Sequence, residues 1–572
     1  MTHDNTDEVI TPNAQSVLID AFAAGKLSRR QFVQRASVLG MSAAAVGALL
    51  AACGGEETTE TTDGGGDEPT TTLGDGQTDT TAPQGTYKQG GTLRVGNQRP
   101  GGPLDPVAMF DVGTYTLCST AFEYLCGPGE GAALAPMLAE SWTPNADGSV
   151  WTFNIRKGVK WHSGNGELTA ADVVASIERL VEGNQKSYLS PGAAKAVDDY
   201  TVEVTLNAPD GQYPYQLSIY NPQSLITPAD YEVGTTLDAR PEGTGAFKLA
   251  SFDVSTKAVF ERNDDWWGGV PFLDAVEIFF TDDLATNING LLAGELDALV
   301  GFSVIGGEAI FADSSLTIES IPGAAHRQIW MNCREGNFTD KRVRQAVAKG
   351  IDRQALIDTL LQGRGVQGND HPVAPVYPYH DASQPQRERD VEGAKALLEE
   401  AGKAGLTVTM HAPTLLEIPQ LAELVQSQLA EIGMNITLNI ESTDTFYDRW
   451  CKVYDSTNEP TGCDGGEEFG IVDYGNRGTP DVYLVKAYAT GEWNSSHYIS
   501  EDFRAAVKEY QAALDDAGRA AAITKVQAIA NEDVPYVIPY FYDYLQCYRN
   551  TFAGVRGTGL GHFYLGTAGF LA

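Results

Sequence analysis

The side chains able to do covalent chemistry in this chain stand apart from one another. None of its eight histidines falls in a His-Glu-x-x-His pattern, no serine stands in Gly-x-Ser-x-Gly, and there is no phosphate-cradling Gly-x-x-x-x-Gly-Lys loop. The 76 acidic residues include no spaced pair that reads as an acid and a base. "GTGLGHF", from Gly557, has the wrong glycine spacing for a dinucleotide loop and reads as a turn. No cysteines are spaced Cys-x-x-Cys, so a structural zinc site has little support. No metal, no cofactor and no catalytic residue is expected, which turns attention from turnover to binding.

Chemistry of another kind sits at the front. Residues 38–52 carry no charge and are rich in Ala, Gly and Ser. The run is too short and too weakly apolar for a membrane span, but it suits the core of an export signal. Ahead of it, Ser28-Arg29-Arg30-Gln31-Phe32-Val33 resembles a twin-arginine export motif. Behind it, Leu50-Ala51-Ala52-Cys53 resembles a lipobox, with Cys53 as the lipidated first residue of the mature chain. Export by the twin-arginine or the general route both remain open. Residues 1–52 are therefore read as a signal peptide. Residues 53–87, rich in Thr, Gly and Asp, are read as a disordered tether beside a membrane.

The signal carries four basic residues (Lys26, Arg29, Arg30, Arg35) and four acidic ones (Asp4, Asp7, Glu8, Asp20), so the mature chain keeps the whole net charge of −37. Such a surface repels nucleic acid and anionic head groups. Six cysteines remain after Cys53, an even number that favours disulfides in an exported protein. The simplest pairing joins Cys118 to Cys126 and Cys451 to Cys463 as local staples. It leaves Cys333 and Cys547 for a long-range bridge.

The elements that must position any site alternate between strand and helix. "VWTFNI" alternates as a half-buried strand. Thr169 with Asp172 approaches a capping box, and Leu168 with Val173 can staple the helix that follows. Downstream, "LTVTM", a helix bearing Leu421, Leu424, Val425, Gln428, Leu429 and Ile432, and "NITLNI" form a strand–helix–strand unit. The 520 residues left after the signal predict two or three domains.

Five stretches, in order, resemble one family. They are Leu138 to Leu180, "GTGAFKL" at Gly243–Leu249, "ERNDDWWGGVPFLDAVEI", "INGLLAGELDAL" and "MNCREGNFTDKRVRQAVAKGIDRQALI". The chain resembles the extracellular solute-binding proteins of peptide-type ABC importers, family 5, which includes dipeptide, oligopeptide and nickel carriers. That resemblance implies an α/β, two-lobed periplasmic-binding-protein-like fold (class II, cluster C type) with an extra domain inserted in the first lobe. Lobe one is placed at 88–325 plus 536–572, its inserted domain at about 125–241, and lobe two at 326–535. The crossings fall near Ile321–Arg327 and Val534–Tyr540.

The resemblance also implies a role: capturing an extracellular solute, foremost a peptide, and handing it to a permease and ATPase in the membrane. A monomer is expected. In peptide carriers of the family an Asp in an Asp-Tyr dipeptide grips the ligand's α-amino group, and Asp473-Tyr474 stands at that position. Here Gly-Asn-Arg-Gly-Thr is inserted before Pro480-Asp481, so Asp481 competes with Asp473. The strand "RQIWMNC" brings Trp330 and Asn332 as backbone-side contacts, with Trp330 equally fit for the core. Tyr447, Arg449, Trp450 and Trp493 are placed as aromatic and polar cleft residues, and aromatics of this kind would serve an oligosaccharide equally. A nickel complex is the other ligand the family suggests, with His371, His380 and His411 as candidates. An anchored hydrolase is the alternative of another class, and a solute sensor would use the same fold.

Overall fold

The computed structural model describes residues 87–181, 183–450, 467–489 and 493–572. Cys53, the export stretch, the tether up to residue 86, Cys451 and Cys463 lie outside them. Tyr87, the last residue assigned to the tether, bridges to Leu571 and stacks on Phe272 at 4.8 Å. No helix among the described residues is long and apolar enough to cross a membrane.

Lobe one is built on a seven-stranded mixed sheet. Its order is Leu316–Ile321, Tyr544–Arg549, Ala298–Phe302, Thr92–Gln98, Ala275–Thr281, Lys257–Arg262, Phe247–Asp253. Thr92–Gln98 runs parallel to both of its neighbours. Its central residues are nearly all buried, as expected of a strand covered on both faces. The helix Val112–Ala121, capped by Asp111 Oδ1 on the Thr114 N–H, covers one face.

The inserted part forms a four-stranded antiparallel sheet, Ala139–Pro144, Val150–Ile155, Thr201–Thr205, Ala194–Asp198. Against it packs the helix Ala170–Val181. Asp172 Oδ2 accepts from the Thr169 N–H and hydroxyl at 2.8 and 3.0 Å, the side-chain-to-N-cap half of a capping box, and Leu168 and Val173 are both fully buried.

Lobe two carries the second large sheet, ordered Gly365–Gln367, Tyr540–Tyr542, His326–Met331, Phe469–Tyr474, Thr407–Pro413, Asn435–Glu441, with Tyr536–Val537 also paired to His326–Met331. Thr407–Pro413 and Asn435–Glu441 run parallel, joined through the helix Ile418–Glu431. Leu421, Val425 and Leu429 of that helix are fully buried, while Gln428 turns aside to accept the Asp352 N–H at 2.9 Å.

The chain passes between the two sheets twice. The first passage is residues 322–325, between Leu316–Ile321 and His326–Met331. The second is Asp543 alone, between Tyr540–Tyr542 and Tyr544–Arg549. The return crossing expected at Val534–Tyr540 is therefore displaced: Tyr536–Val537 and Tyr540–Tyr542 pair into the second sheet before the chain leaves it. The two passages touch, since the Tyr542 N–H donates to the Ala325 carbonyl at 3.0 Å.

That geometry overturns two of the expected disulfides. Cys118, Cys126, Cys333 and Cys547 are all free thiols. Cys118 points into the lobe-one core from Val112–Ala121, whereas Cys126 begins a strand packed into the inserted domain's separate core. Cys333 follows the lobe-two strand His326–Met331, whereas Cys547 lies within the lobe-one strand Tyr544–Arg549, each strand running away from its crossing into its own sheet. At about 3.3 Å per residue they diverge by roughly 30 Å, far beyond the ~7 Å a bridge tolerates. Burial pushes the Cys333 thiol up to about 11 and the Cys547 thiol up to about 12.

Candidate functional site

A cavity of about 500 Å³ lies between the lobes, with the crossing residues Tyr542, Asp543 and Tyr544 in its wall. Lobe one contributes Gln98, Thr281 and Phe302, the last residues of three parallel or neighbouring strands. Carboxyl ends of parallel strands are where α/β folds place ligands, because the chain there opens into loops and helix N-termini. Lobe two contributes Arg327, Glu417 and an apolar patch of Leu360, Leu361 and Leu416.

Arg327 stands at the start of His326–Met331, a strand buried on both faces. Strand alternation turns Arg327 to the same side as Ile329 and Met331, toward the helices. There Glu417 waits at the N-cap of Ile418–Glu431. Arg327 Nε and Nη2 fork onto the two Glu417 oxygens at 2.8 and 2.9 Å, and the Tyr540 hydroxyl donates to Glu417 at 2.9 Å. Burial opposes ionisation of Glu417, yet the Arg327 charge and its hydrogen bonds hold the carboxyl below its ordinary range. The Tyr542 ring lies 4.3 Å from the guanidinium.

Asp473 is the direct cross-strand partner of Arg327. Its side chain is 24% exposed, its Oδ2 sits 3.9 Å from Arg327 Nη1, and its Oδ1 accepts from the Tyr447 hydroxyl. Behind it runs a train of aromatic rings: Phe446 against Tyr447, Tyr447 against Trp450, Trp450 against Tyr474, and Tyr474 against Trp493, each at 5.1–6.3 Å. Asp473, Tyr474, Tyr447, Trp450 and Trp493 are thus brought together. Tyr474 is itself buried, stacked on His326 at 5.3 Å. Lys486 Nζ covers the Trp493 ring at 4.7 Å. The side chain of Arg449 lies outside the described residues.

Three of the expected contacts fall elsewhere. Trp330 is 2% exposed and packed on Phe446 and against Gly470, inside the core and with no face toward a solute. Asn332 is 4% exposed, and its carbonyl oxygen accepts the Arg334 and Glu335 N–H groups at 3.0 Å, a turn-capping role. Asp481 shares no partner with Asp473. It accepts from the Tyr510 hydroxyl at 3.2 Å and faces Asp210 of the inserted domain. Burial, then the Asp210 charge, pushes its carboxyl up to about 7.

The inserted Gly-Asn-Arg-Gly-Thr packs between the first crossing and the inserted part. Asn476 Oδ1 takes the Ala324 N–H of the first crossing at 2.7 Å, and Gly478 packs so closely on Tyr215 and Tyr220 of the inserted part that a Cβ would sit 2.4 Å from the Tyr220 ring. Among the described residues no three His, Cys, Asp or Glu side chains group as metal ligands. His411 Nδ1 is instead 3.4 Å from Glu467, and His371 and His380 face each other in lobe two at 5.9 Å.

Sequence reasoning missed Arg327, Glu417, Tyr540 and Tyr542. The only trace was "HRQ", three polar residues opening a strand that otherwise reads as fully buried.

Two lobes, two short crossings and a cavity at the strand ends between them define a two-lobed solute-binding protein. The chain belongs to the bacterial extracellular solute-binding proteins, family 5, whose middle-region model matches residues 133–484. It is 26% identical over 469 residues to di/tripeptide-binding protein 2 of Pseudomonas aeruginosa, covering 75% of this chain and 84% of that one. It is 28% identical over 504 residues to the periplasmic oligopeptide-binding protein OppA of Escherichia coli, covering 77% and 85%. The structure of HbpA2 from Haemophilus parasuis shares the fold, with a TM-score of 0.73 at 24% identity over 84% of this chain and all of that one.

Proposed function

We propose that this protein captures peptides for an ABC importer, without turnover, and holds them by their free α-amino group. The observation that carries the reading is Asp473: a partly exposed carboxylate fixed by the Tyr447 hydroxyl and 3.9 Å from Arg327, which itself lines the cavity between the lobes. A carboxylate in a closing, poorly hydrated cleft is a strong and directional partner for an ammonium. Relatives named for di-, tri- and oligopeptide binding support the same solute class. The chain acts as a monomer, anchored through lipid at Cys53 on the outer side of a cell membrane, and delivers its load to a permease and ATPase.

Native mass spectrometry of the purified protein should show a bound peptide. In calorimetric titration, Asp473→Ala should weaken peptide binding by about 2–5 kcal/mol, and N-acetylation of the peptide should weaken it comparably. Equal affinity for free and acetylated peptides would remove Asp473 from this role. Saturable peptide or glycoside hydrolysis by the purified protein would overturn the reading altogether.

A further inference from the structure

Arg327 is placed to read the ligand as well as to hold Glu417. Its guanidinium is 1% exposed, and its Nε and Nη2 are spent on Glu417. Nη1 is buried and makes no well-aligned hydrogen bond; the Tyr542 hydroxyl is the nearby polar group that interacts with the guanidinium. Asp473 Oδ2, at 3.9 Å, is too far for a direct bond. That edge cannot swing into better alignment, because the fork on Glu417 and the Tyr542 ring fix the guanidinium plane. A buried donor left without a well-aligned partner is costly, and native proteins rarely leave one without a reason.

The donor edge of Arg327 and the acceptor Asp473 therefore stand side by side, next to the inter-lobe cavity that Arg327 lines. In an α-aminoacyl terminus the ammonium nitrogen and the first carbonyl oxygen are joined through two carbons and lie about 3 Å apart. One such terminus can meet both groups at once: ammonium on Asp473, carbonyl oxygen on Nη1. A simple amine satisfies only the first, and an acylated terminus only the second.

We propose that Arg327 Nη1 and Asp473 form a two-point reader for a free α-aminoacyl terminus, with Arg327 as the specificity-determining residue for the carbonyl oxygen of the first peptide bond. This rests on the peptide-capture reading above. It predicts that the protein separates peptides from amines and polyamines of equal charge.

The test is calorimetric titration with Leu-Ala-Ala, Phe-Ala-Ala and Lys-Ala-Ala, each beside its analogue with the first peptide bond replaced by a neutral trans-alkene, which keeps the extended geometry but lacks the carbonyl oxygen. Wild-type protein should bind the parents about 10- to 100-fold more tightly than the alkene analogues, the scale of one buried hydrogen bond. Arg327→Lys keeps a positive charge against Glu417 but lacks the third donor edge, so it should bind parent and analogue alike while still rejecting N-acetylated peptides. If that variant does not fold, Arg327→Gln combined with Glu417→Gln removes both charges of the pair together and serves the same comparison. Equal binding of parent and analogue by wild type, or retained discrimination in the variant, overturns the assignment and leaves peptide capture standing. Failure of all three parent peptides to bind wild-type protein sinks both.

Discussion

Replacing Asp481 by Asn should flatten a pH dependence that the wild-type protein carries across its lobe interface. Asp481 belongs to lobe two and Asp210 to the inserted domain of lobe one. Each carboxyl is raised by burial first, Asp481 further by the charge of its counterpart. Arg519 is the cation facing Asp210, and the Tyr188, Tyr379 and Tyr510 hydroxyls surround the pair. Moving a carboxyl from its ordinary 3.8 to about 7 amounts to roughly 4 kcal/mol. The sign follows from where the proton stays. Below pH 3.8 the group is protonated in folded and unfolded chain alike, and its contribution is fully present. As pH rises toward about 7 the unfolded chain sheds the proton freely while the folded one resists, so stability is lost progressively across that window. Asn resembles the protonated acid in shape and hydrogen bonding, so D481N escapes the loss. Thermal unfolding followed from pH 4.5 to 8.5 should show the variant stabilised over wild type at the alkaline end, by up to about 4 kcal/mol, with the gap closing toward pH 4. D210N should recover part of the same gain, because it removes the repulsion but not the burial. Parallel pH profiles for wild type and D481N would refute the reasoning.

Other perturbations probe the scaffold. Gly470→Ala would put a Cβ 2.2 Å from the Trp330 ring and 2.5 Å from the His411 carbonyl oxygen, and the backbone oxygen cannot step aside. A loss of about 1–3 kcal/mol or more in calorimetric unfolding is expected, and an unchanged midpoint would mean Trp330 packs elsewhere. Glu417→Ala strands the Arg327 charge in the interior and should cost about 3–5 kcal/mol, read as a lowered denaturant midpoint; a neutral outcome would argue against a buried pair. Alkylation in denaturant without reductant should label Cys118, Cys126, Cys333 and Cys547 in full, and a cross-linked peptide joining Cys333 to Cys547 would contradict their placement on diverging strands.

Much of the scaffold was legible because it is local. The Thr169–Asp172 box and the buried face of Ile418–Glu431 are written within one or two helical turns, where spacing alone decides burial. The Asp473-Tyr474 dipeptide was legible as a candidate through the family resemblance. Arg327 and Glu417 were not, since they lie 90 positions apart and meet only once the central strand and the helix N-terminus are packed. Of the two readings open for Trp330 the core one holds, because a strand central to a sheet hides both faces, while Asn332 lies just past the strand end and caps the following turn. The return crossing was misjudged at "VPYVIPYFYDY", where Pro535 and Pro539 break the segment into short strands that pair before the chain departs. Counting cysteines to an even number ignored the directions in which the strands run.

The two crossings, one a single residue and the other four, are bonded to each other through Tyr542 and Ala325. Linkers that short and that close leave the lobes little freedom to slide or twist independently; what remains is rotation about one axis. A solute that fills the gap is therefore converted into an angle, amplified at the rim by the full height of each lobe. Any partner docking across both rims needs only to measure that opening, and can stay indifferent to the chemistry of what lies inside.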